Sequence, residues 1–203
     1  IGDPCPDGEF TDIPDIDGTE VVYVSEGESI QDAIDAAKDG AVIVVGAGTF
    51  KETISLYKKN LSIIGACAEK TIINPEGYSE TFPVIDIYGG SKVALKNMTL
   101  TGERVGVIVD ENGTECEMEG IAIVNATKFG IFALHNSMLR AESIYIKDTD
   151  PSNSKEFGRA LEIQDGSVAS VSNVAIDNSR DIGVFVWGGE EGLATAFEAT
   201  NLV

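Results

Sequence analysis

The chain has 203 residues and a formal net charge of −20, from 34 acidic and 14 basic side chains. Hydrophobic residues make up 43% of it, which indicates one folded domain and excludes a disordered chain. The charge argues against nucleic acid, anionic membranes and polyanionic substrates as partners, and no apolar run is long enough to span a membrane.

The first twenty residues are acidic and rich in proline and glycine, which predicts an arm or linker over residues 1–20 and a domain over 21–203. The step Asp15-Ile16-Asp17-Gly18 resembles part of a calcium loop but lacks the other ligands. We therefore expect no cofactor, with calcium as the alternative. The start at Ile1 without methionine is typical of a mature or trimmed form.

A short amphipathic helix is predicted over residues 28–38, with Ser29 as the N-cap. Its apolar positions fall at helical spacing: Ile30, Ala33, Ile34 and Ala37. We expect this helix to cover the open end of a stack of strands, where it would remove an exposed sheet edge.

Internal repetition is the strongest signal in the sequence. Four stretches of sequence can be aligned with one another: Val84–Leu100, Val105–Ile123, Gly130–Ile146 and Ala160–Ile176. A fifth copy begins at Gly183. Apolar and polar residues alternate with a period of two, so each copy predicts strands with one buried face. One inward column is predicted to hold Val93, Cys116, Leu139, Ala169 and Phe197.

Corners recur in the same register. One column holds Asn97, Gly120, Ser143, Asn173 and Asn201, and a second holds Gly102, Asn125, Asp148 and Asn178. Asparagine and glycine tolerate the left-handed backbone that a sharp bend needs. The sequence thus predicts an all-β solenoid, a right-handed parallel β-helix with an N-terminal capping α-helix.

At the opening of the domain a cap helix, a strand, the turn Gly48-Thr49-Phe50 and a strand ending in Gly65 follow one another. This order resembles the opening of the pectin-lyase-like superfamily. The resemblance implies that substrates would lie along the outside of the first strand of each coil. It is specific for the fold and not for an activity, because this fold hosts lyases, hydrolases, esterases, adhesins and spacers. The last coil shows no cap, so we expect either further coils or a covering subunit.

The cysteines predict no metal site, since three scattered thiols are too few for zinc. Cys116 is expected in the core, and Cys5 and Cys67 can pair if the chain is exported. On the outer face Asp110 and Glu162 are weak catalytic candidates, about 10 Å apart across two coils, and His135 is a third. Asp86 lies on the same face, and Arg159 is expected to precede its strand and to miss these acids.

That face also carries apolar side chains, predicted to form a contiguous stripe: Tyr88, Ile108, Phe132, Leu134, Phe185 and Trp187. Three explanations stay open, because soluble monomers rarely leave such a stripe bare. The insertion at residues 148–157 folds over it, or another protein or subunit binds it, or its aromatic rings stack on sugars.

The leading interpretation is a secreted or cell-surface, non-catalytic β-helix module that mediates protein contact or self-association through this stripe. The alternative is a polysaccharide lyase, a glycoside hydrolase or a glycan-binding protein that uses the same face. A column of acidic residues with an adjacent basic residue would favour an enzyme, and the sequence shows none. The non-catalytic interpretation is therefore preferred.

Overall fold

A computed structural model describes residues 5, 8–11, 18–76, 82–189 and 194–203 of the chain. Almost all of its regular structure is strand. In chain order the elements are β1 (Val21–Val24), α1 (Ile30–Ala36), β2 (Ala41–Val45), β3 (Gly48–Phe50), β4 (Ile54–Tyr57), β5 (Asn60–Gly65), β6 (Thr71–Ile73), β7 (Ile85–Tyr88), β8 (Lys92–Thr101), β9 (Val107–Val109), β10 (Glu115–Val124), β11 (Phe129–Ala133), β12 (Met138–Thr149), β13 (Arg159–Gln164), β14 (Val168–Ser179), β15 (Val184–Trp187) and β16 (Ala196–Leu202).

The strands form two parallel sheets that the chain visits in turn. The ten-stranded sheet, sheet A, has the main order β1-β2-β5-β8-β10-β12-β14-β16, with β3 and β6 paired beside it. The six-stranded sheet, sheet B, has the order β4-β7-β9-β11-β13-β15. From β4 onward each coil adds one strand to each sheet, so the chain is a parallel β-helix.

The predicted columns are confirmed by the strand register. Cys116 pairs with Val93 on one side and with Leu139 on the other, and Ala169 and Phe197 continue the row. The interior is apolar along its length, and Cys116 is a buried free thiol within it, as predicted. Burial of this continuous row is what a single coil cannot achieve alone.

Both predicted corner columns carry left-handed backbone angles. The first bends each long strand of sheet A, with φ between 53° and 63° at Asn97, Gly120, Ser143, Asn173 and Asn201. The second turns the chain towards sheet B, and Asn125, Asp148 and Asn178 have φ values of 54–59° there. Side chains also bond along the corners, as Asn201 Nδ2 donates to Asn173 Oδ1 at 2.9 Å.

Helix α1 is shorter than predicted, but its start is as expected. Ser29 is the N-cap, and its side chain accepts a hydrogen bond from the backbone N–H of Asp32. Glu52 adds a second cap, because its carboxylate accepts from the backbone N–H groups of Ile30 and Gln31 at 2.8 and 3.1 Å. No helix among the described residues has the length and apolar character needed to cross a membrane.

The described residues of the N-terminal segment contact the first coils of the β-helix. Cys5 forms a disulfide with Cys67, which confirms that predicted pair. Glu9 accepts a backbone hydrogen bond from Ala47, and the Phe10 ring packs edge-on against Tyr23. Of the proposed calcium step, only Gly18 lies within the described residues; residues 15–17 lie outside them.

Candidate site on the outer face of sheet B

The outer face of sheet B presents two columns of side chains, because alternate residues of each strand point away from the core. The first column holds Ser55, Asp86, Ile108, Phe132, Glu162 and Phe185. The second holds Tyr57, Tyr88, Asp110, Leu134, Gln164 and Trp187. Every residue that the sequence placed on this face is therefore on it, although the columns are not uniformly apolar.

A cluster of ionisable groups lies on or just after the inner strands of sheet B, and we call it the acid cluster: Asp86, Asp110, His135 and Asp165. His135 follows β11 in a turn with φ of 53°. Its Nδ1 lies 2.7 Å from Asp110 Oδ1, and its Nε2 lies 3.9 Å from Asp165 Oδ2. The histidine thus lies between two carboxylates from different coils, so the stacking of coils brings it close to residues 25 and 30 positions away in the sequence.

Asp86 is the unusual carboxyl of the acid cluster. Partial burial, together with the nearby charges of Asp110 and Glu111, raises the pKa of Asp86 to about 6. A carboxyl with this pKa holds its proton at mildly acidic pH, where an ordinary aspartate has lost it. Asp86 is therefore a chemically distinct acid beside a second carboxylate.

Two tyrosines flank the acid cluster on its N-terminal side. The rings of Tyr57 and Tyr88 lie 5.0 Å apart at 32°, and we call this pair the tyrosine platform. The Ser55 hydroxyl donates to the Tyr88 hydroxyl oxygen at 3.4 Å, and Lys58 Nζ lies 4.8 Å from the centre of the Tyr57 ring. Tyr57 is about half exposed even with these two neighbours against its ring.

Arg159 forms a second cluster near the other end of the face. The expectation that Arg159 precedes its strand is wrong, because β13 begins at this residue. Its guanidinium lies 2.8 Å from Glu162 Oε2 and 3.0 Å from Asp181 Oδ2. Burial raises the pKa of Glu162, and its bond to Arg159 opposes that effect.

Two aromatic rings lie against the Arg159 guanidinium. The guanidinium carbon lies 3.9 Å from the centre of the Phe185 ring and 4.9 Å from that of Phe157. Such contacts are favourable for a planar cation. Glu162 is only 3% exposed beside this guanidinium, and the two predicted acids, Asp110 and Glu162, have different partners. Glu162 bonds to Arg159, and Asp110 bonds to His135.

The apolar stripe is divided rather than contiguous. Glu162 stands between Phe132 and Phe185 in the first column, and Leu134 is largely buried in the second. The insertion reaches the flank of the stripe, since its Phe157 packs on Phe129 at 4.9 Å and Phe129 stacks on Phe132 at 4.5 Å. Trp187 stays 48% exposed at the far end of its column.

Sequence reasoning missed Tyr57, Asp165 and Arg159 as members of these clusters. The signal for Tyr57 was present, because Ile54–Tyr57 aligns with Ile85–Tyr88 as the same strand one coil earlier. Asp165 follows its strand as His135 does, and the Asn136 N–H donates to its backbone carbonyl. Among the described residues no group of three histidine, cysteine or acidic side chains is placed to hold a metal ion.

Comparison with known proteins shows little sequence similarity. No protein-family model matches the chain, and no curated protein matches it in sequence. Among solved structures, a pectin methylesterase in complex with a hexasaccharide is similar in fold, with 10% identity and a TM-score of 0.44. The alignment covers 91% of this chain and 80% of that one. The likeness concerns fold alone.

Proposed function

We propose that the outer face of sheet B binds an extended, uncharged polysaccharide and that the acid cluster hydrolyses it. The observation that carries the proposal is the half-buried Asp86, whose raised pKa makes it a proton donor beside Asp110. Glycoside hydrolysis commonly uses two carboxyl groups with different protonation states. Asp86 would protonate the leaving glycosidic oxygen, and Asp110 would take a proton from the attacking water.

The charge of the protein supports a neutral substrate. With a net charge of −20, the protein would repel a chain that carries a carboxylate on each sugar. Arg159 is bound by Glu162 and Asp181, so it does not offer a guanidinium to such a carboxylate. Hydrolysis of a neutral glycan therefore fits this face better than elimination from a uronate.

Aromatic rings at both ends of the second column support an extended ligand. Tyr88 and Trp187 are four coil spacings apart, or about 19 Å. Tyrosine and tryptophan rings bind the apolar faces of sugars while their polar atoms stay solvated. The tyrosine platform and Trp187 would thus bind sugars on either side of Gln164 and Leu134.

The test compares binding and hydrolysis in the same variants. Affinity electrophoresis in gels that contain neutral glucans, xylans or galactans should retard the wild type, and Tyr57→Ala with Tyr88→Ala should abolish retardation. Release of reducing ends should decline above about pH 6, because Asp86 then loses its proton. Asp86→Asn should keep the retardation and lower hydrolysis by about 10²–10⁴-fold.

The matched control is Glu198→Gln, an exposed carboxylate on sheet A, which should change neither property. Absence of retardation on all the neutral polysaccharides would contradict the binding proposal. Retardation without any release of reducing ends would limit the face to binding and remove the role given to Asp86.

Protein contact through the same face is a second candidate, favoured by the exposure of Trp187 and Tyr57. Trp187→Ser together with Phe132→Ser should then increase the monomer fraction in sedimentation. A wild-type protein that is monomeric at high concentration would contradict this role.

We also propose that the protein is extracellular, that its coil is right-handed and that α1 caps the stack. The disulfide between Cys5 and Cys67 supports an oxidising compartment. Parallel connections within a sheet are right-handed in nearly all proteins. Ile30 and Ile34 are buried where α1 contacts β1, β2 and β4, which are strands of the first coils.

A further inference from the structure

The chain carries four Asn-x-Ser/Thr sequences, which are acceptor motifs for N-linked glycans in secreted proteins. They begin at Asn60, Asn97, Asn112 and Asn125. A motif of three residues arises easily by chance, so the position of the asparagine in the fold must show whether the motif can carry a glycan. We therefore ask which of these asparagines the fold already requires.

The fold accounts for three of the four. Asn97 and Asn125 occupy the two corner columns with φ values of 57° and 59°, and Asn97 is also 7% exposed. Asn60 Oδ1 accepts a hydrogen bond from the Lys92 N–H in the neighbouring strand of sheet A. Each of these side chains has a structural reason to be asparagine.

Asn112 has no such reason. It lies in the exposed turn between β9 and β10, where the neighbours Glu111 and Gly113 adopt the left-handed backbone and Asn112 does not. Among the hydrogen bonds of the described residues, none uses the Asn112 side chain. The amide is thus exposed and uncommitted, as an acceptor of a bulky glycan must be.

We propose that Asn112 is an N-glycosylation site of this protein. The co-reactant is a lipid-linked oligosaccharide phosphate. Asn112 Nδ2 forms a bond to C1 of the first sugar, the bond from C1 to the phosphate oxygen breaks, and the amide loses one proton as the lipid phosphate leaves. The disulfide of Cys5 and Cys67 fits the oxidising compartments in which such donors are used.

The structure also indicates when the transfer occurs. Thr114, the hydroxyl residue of the motif, is fully buried, and its Oγ1 accepts a hydrogen bond from the Gly90 N–H at 3.0 Å. A glycan-transferring enzyme that must bind this hydroxyl cannot reach it in the folded coil. The glycan must therefore be attached before the turn packs against the preceding coil, that is, to the nascent chain. A glycan added to Asn97 at that stage would have no room in the folded corner, so a chain modified there would not fold and be secreted.

The test is glycopeptide mass spectrometry of the full chain secreted from a eukaryotic host. The peptide with Asn112 should carry a hexose and N-acetylhexosamine mass, and the peptide with Asn97 should carry none. The intact glycan mass is the readout, because an exposed Asn-Gly step deamidates and would imitate the mark left by enzymatic glycan removal.

Asn112→Gln should remove one glycan from the intact mass, and Asn136→Gln should not. Asn136 is the matched control, since it is exposed in the equivalent turn of the next coil but lacks the motif. A wild-type, disulfide-bonded secreted protein with an unmodified Asn112 peptide would overturn the proposal, and so would equal occupancy of Asn97.

Discussion

A carboxyl group that is partly buried among other carboxylates destabilises a fold whenever it is ionised, and Asp86 is in that position. Its pKa is about 6 in the folded protein against 3.8 for an ordinary aspartate. Below pH 3.8 the group is protonated in both the folded and the unfolded state and carries no penalty. The penalty grows as pH rises from about 4 to about 6, and it is complete above pH 6.

Asp86→Asn should therefore stabilise the protein at pH 8 and leave its stability at pH 3.5 nearly unchanged. The full shift corresponds to about 3 kcal/mol, and the partial exposure of Asp86 reduces the expected gain in the free energy of unfolding to about 1–2 kcal/mol. Urea unfolding at the two pH values measures it, with Glu198→Gln as the control. An equal gain at both pH values would show that ionisation is not the cause.

Single residues of the sequence could not show this environment. Asp86 and Asp110 alternate with apolar residues like any outward carboxylate, and nothing local distinguishes Asp86 from Asp110. The pKa of Asp86 depends on its neighbours in other coils, and those neighbours are set by the register of stacking. The sequence likewise shows that Arg159 precedes Glu162 by three residues, but it does not show that Arg159 lies within the strand and binds this carboxylate.

At the level of strands and corners, regular repetition made the sequence informative. Ser143 occupies the corner where the neighbouring coil has Gly120, and both have left-handed backbones with φ values of 56° and 63°. A residue with a Cβ is disfavoured in that conformation by about 1–2 kcal/mol relative to glycine. Flexibility of glycine in the unfolded chain offsets part of this difference.

Ser143→Gly should accordingly raise the free energy of unfolding by about 0.5–1 kcal/mol. Thermal unfolding followed by circular dichroism measures the change. Ser172→Gly is the comparison, because Ser172 lies within strand β14, where glycine weakens the sheet, and the melting temperature should fall. If both variants lower it, the corner does not favour glycine.

A column of hydroxyl side chains went unnoticed in the sequence although it has the same period. Ser91, Thr114, Ser137 and Ser167 precede the second strand of successive coils and are all buried. Ser137 Oγ donates to the Val109 carbonyl at 2.9 Å, which satisfies a backbone oxygen at the turn. A hydroxyl at one position per coil resembles an ordinary turn residue until its partners are known.

For the molecule as a whole, the disulfide connects the N-terminal segment to the first coils across 62 positions of sequence. A cross-link that closes a loop of this length restricts the unfolded chain and is expected to contribute about 4 kcal/mol. Cys5→Ser should therefore lower the free energy of unfolding in urea by about that amount.

Reductant provides the control for this prediction. Dithiothreitol should destabilise the wild type to the level of Cys5→Ser and should have no effect on the variant, since its two remaining thiols, Cys67 and Cys116, are buried and form no disulfide that could be reduced. A wild type that unfolds at the same urea concentration with and without reductant would contradict the role given to the disulfide.

The sequence by itself determined the stack of coils, the inward columns and both corner columns. These features depend on period-two alternation and on left-handed corner residues, which are local properties repeated in every coil. Only the tertiary structure decided that Glu162 is buried against Arg159, that the apolar stripe is divided, and that His135 lies between Asp110 and Asp165. The reason is that side-chain partners on the outer face come from neighbouring coils, and the register of stacking sets which of them meet.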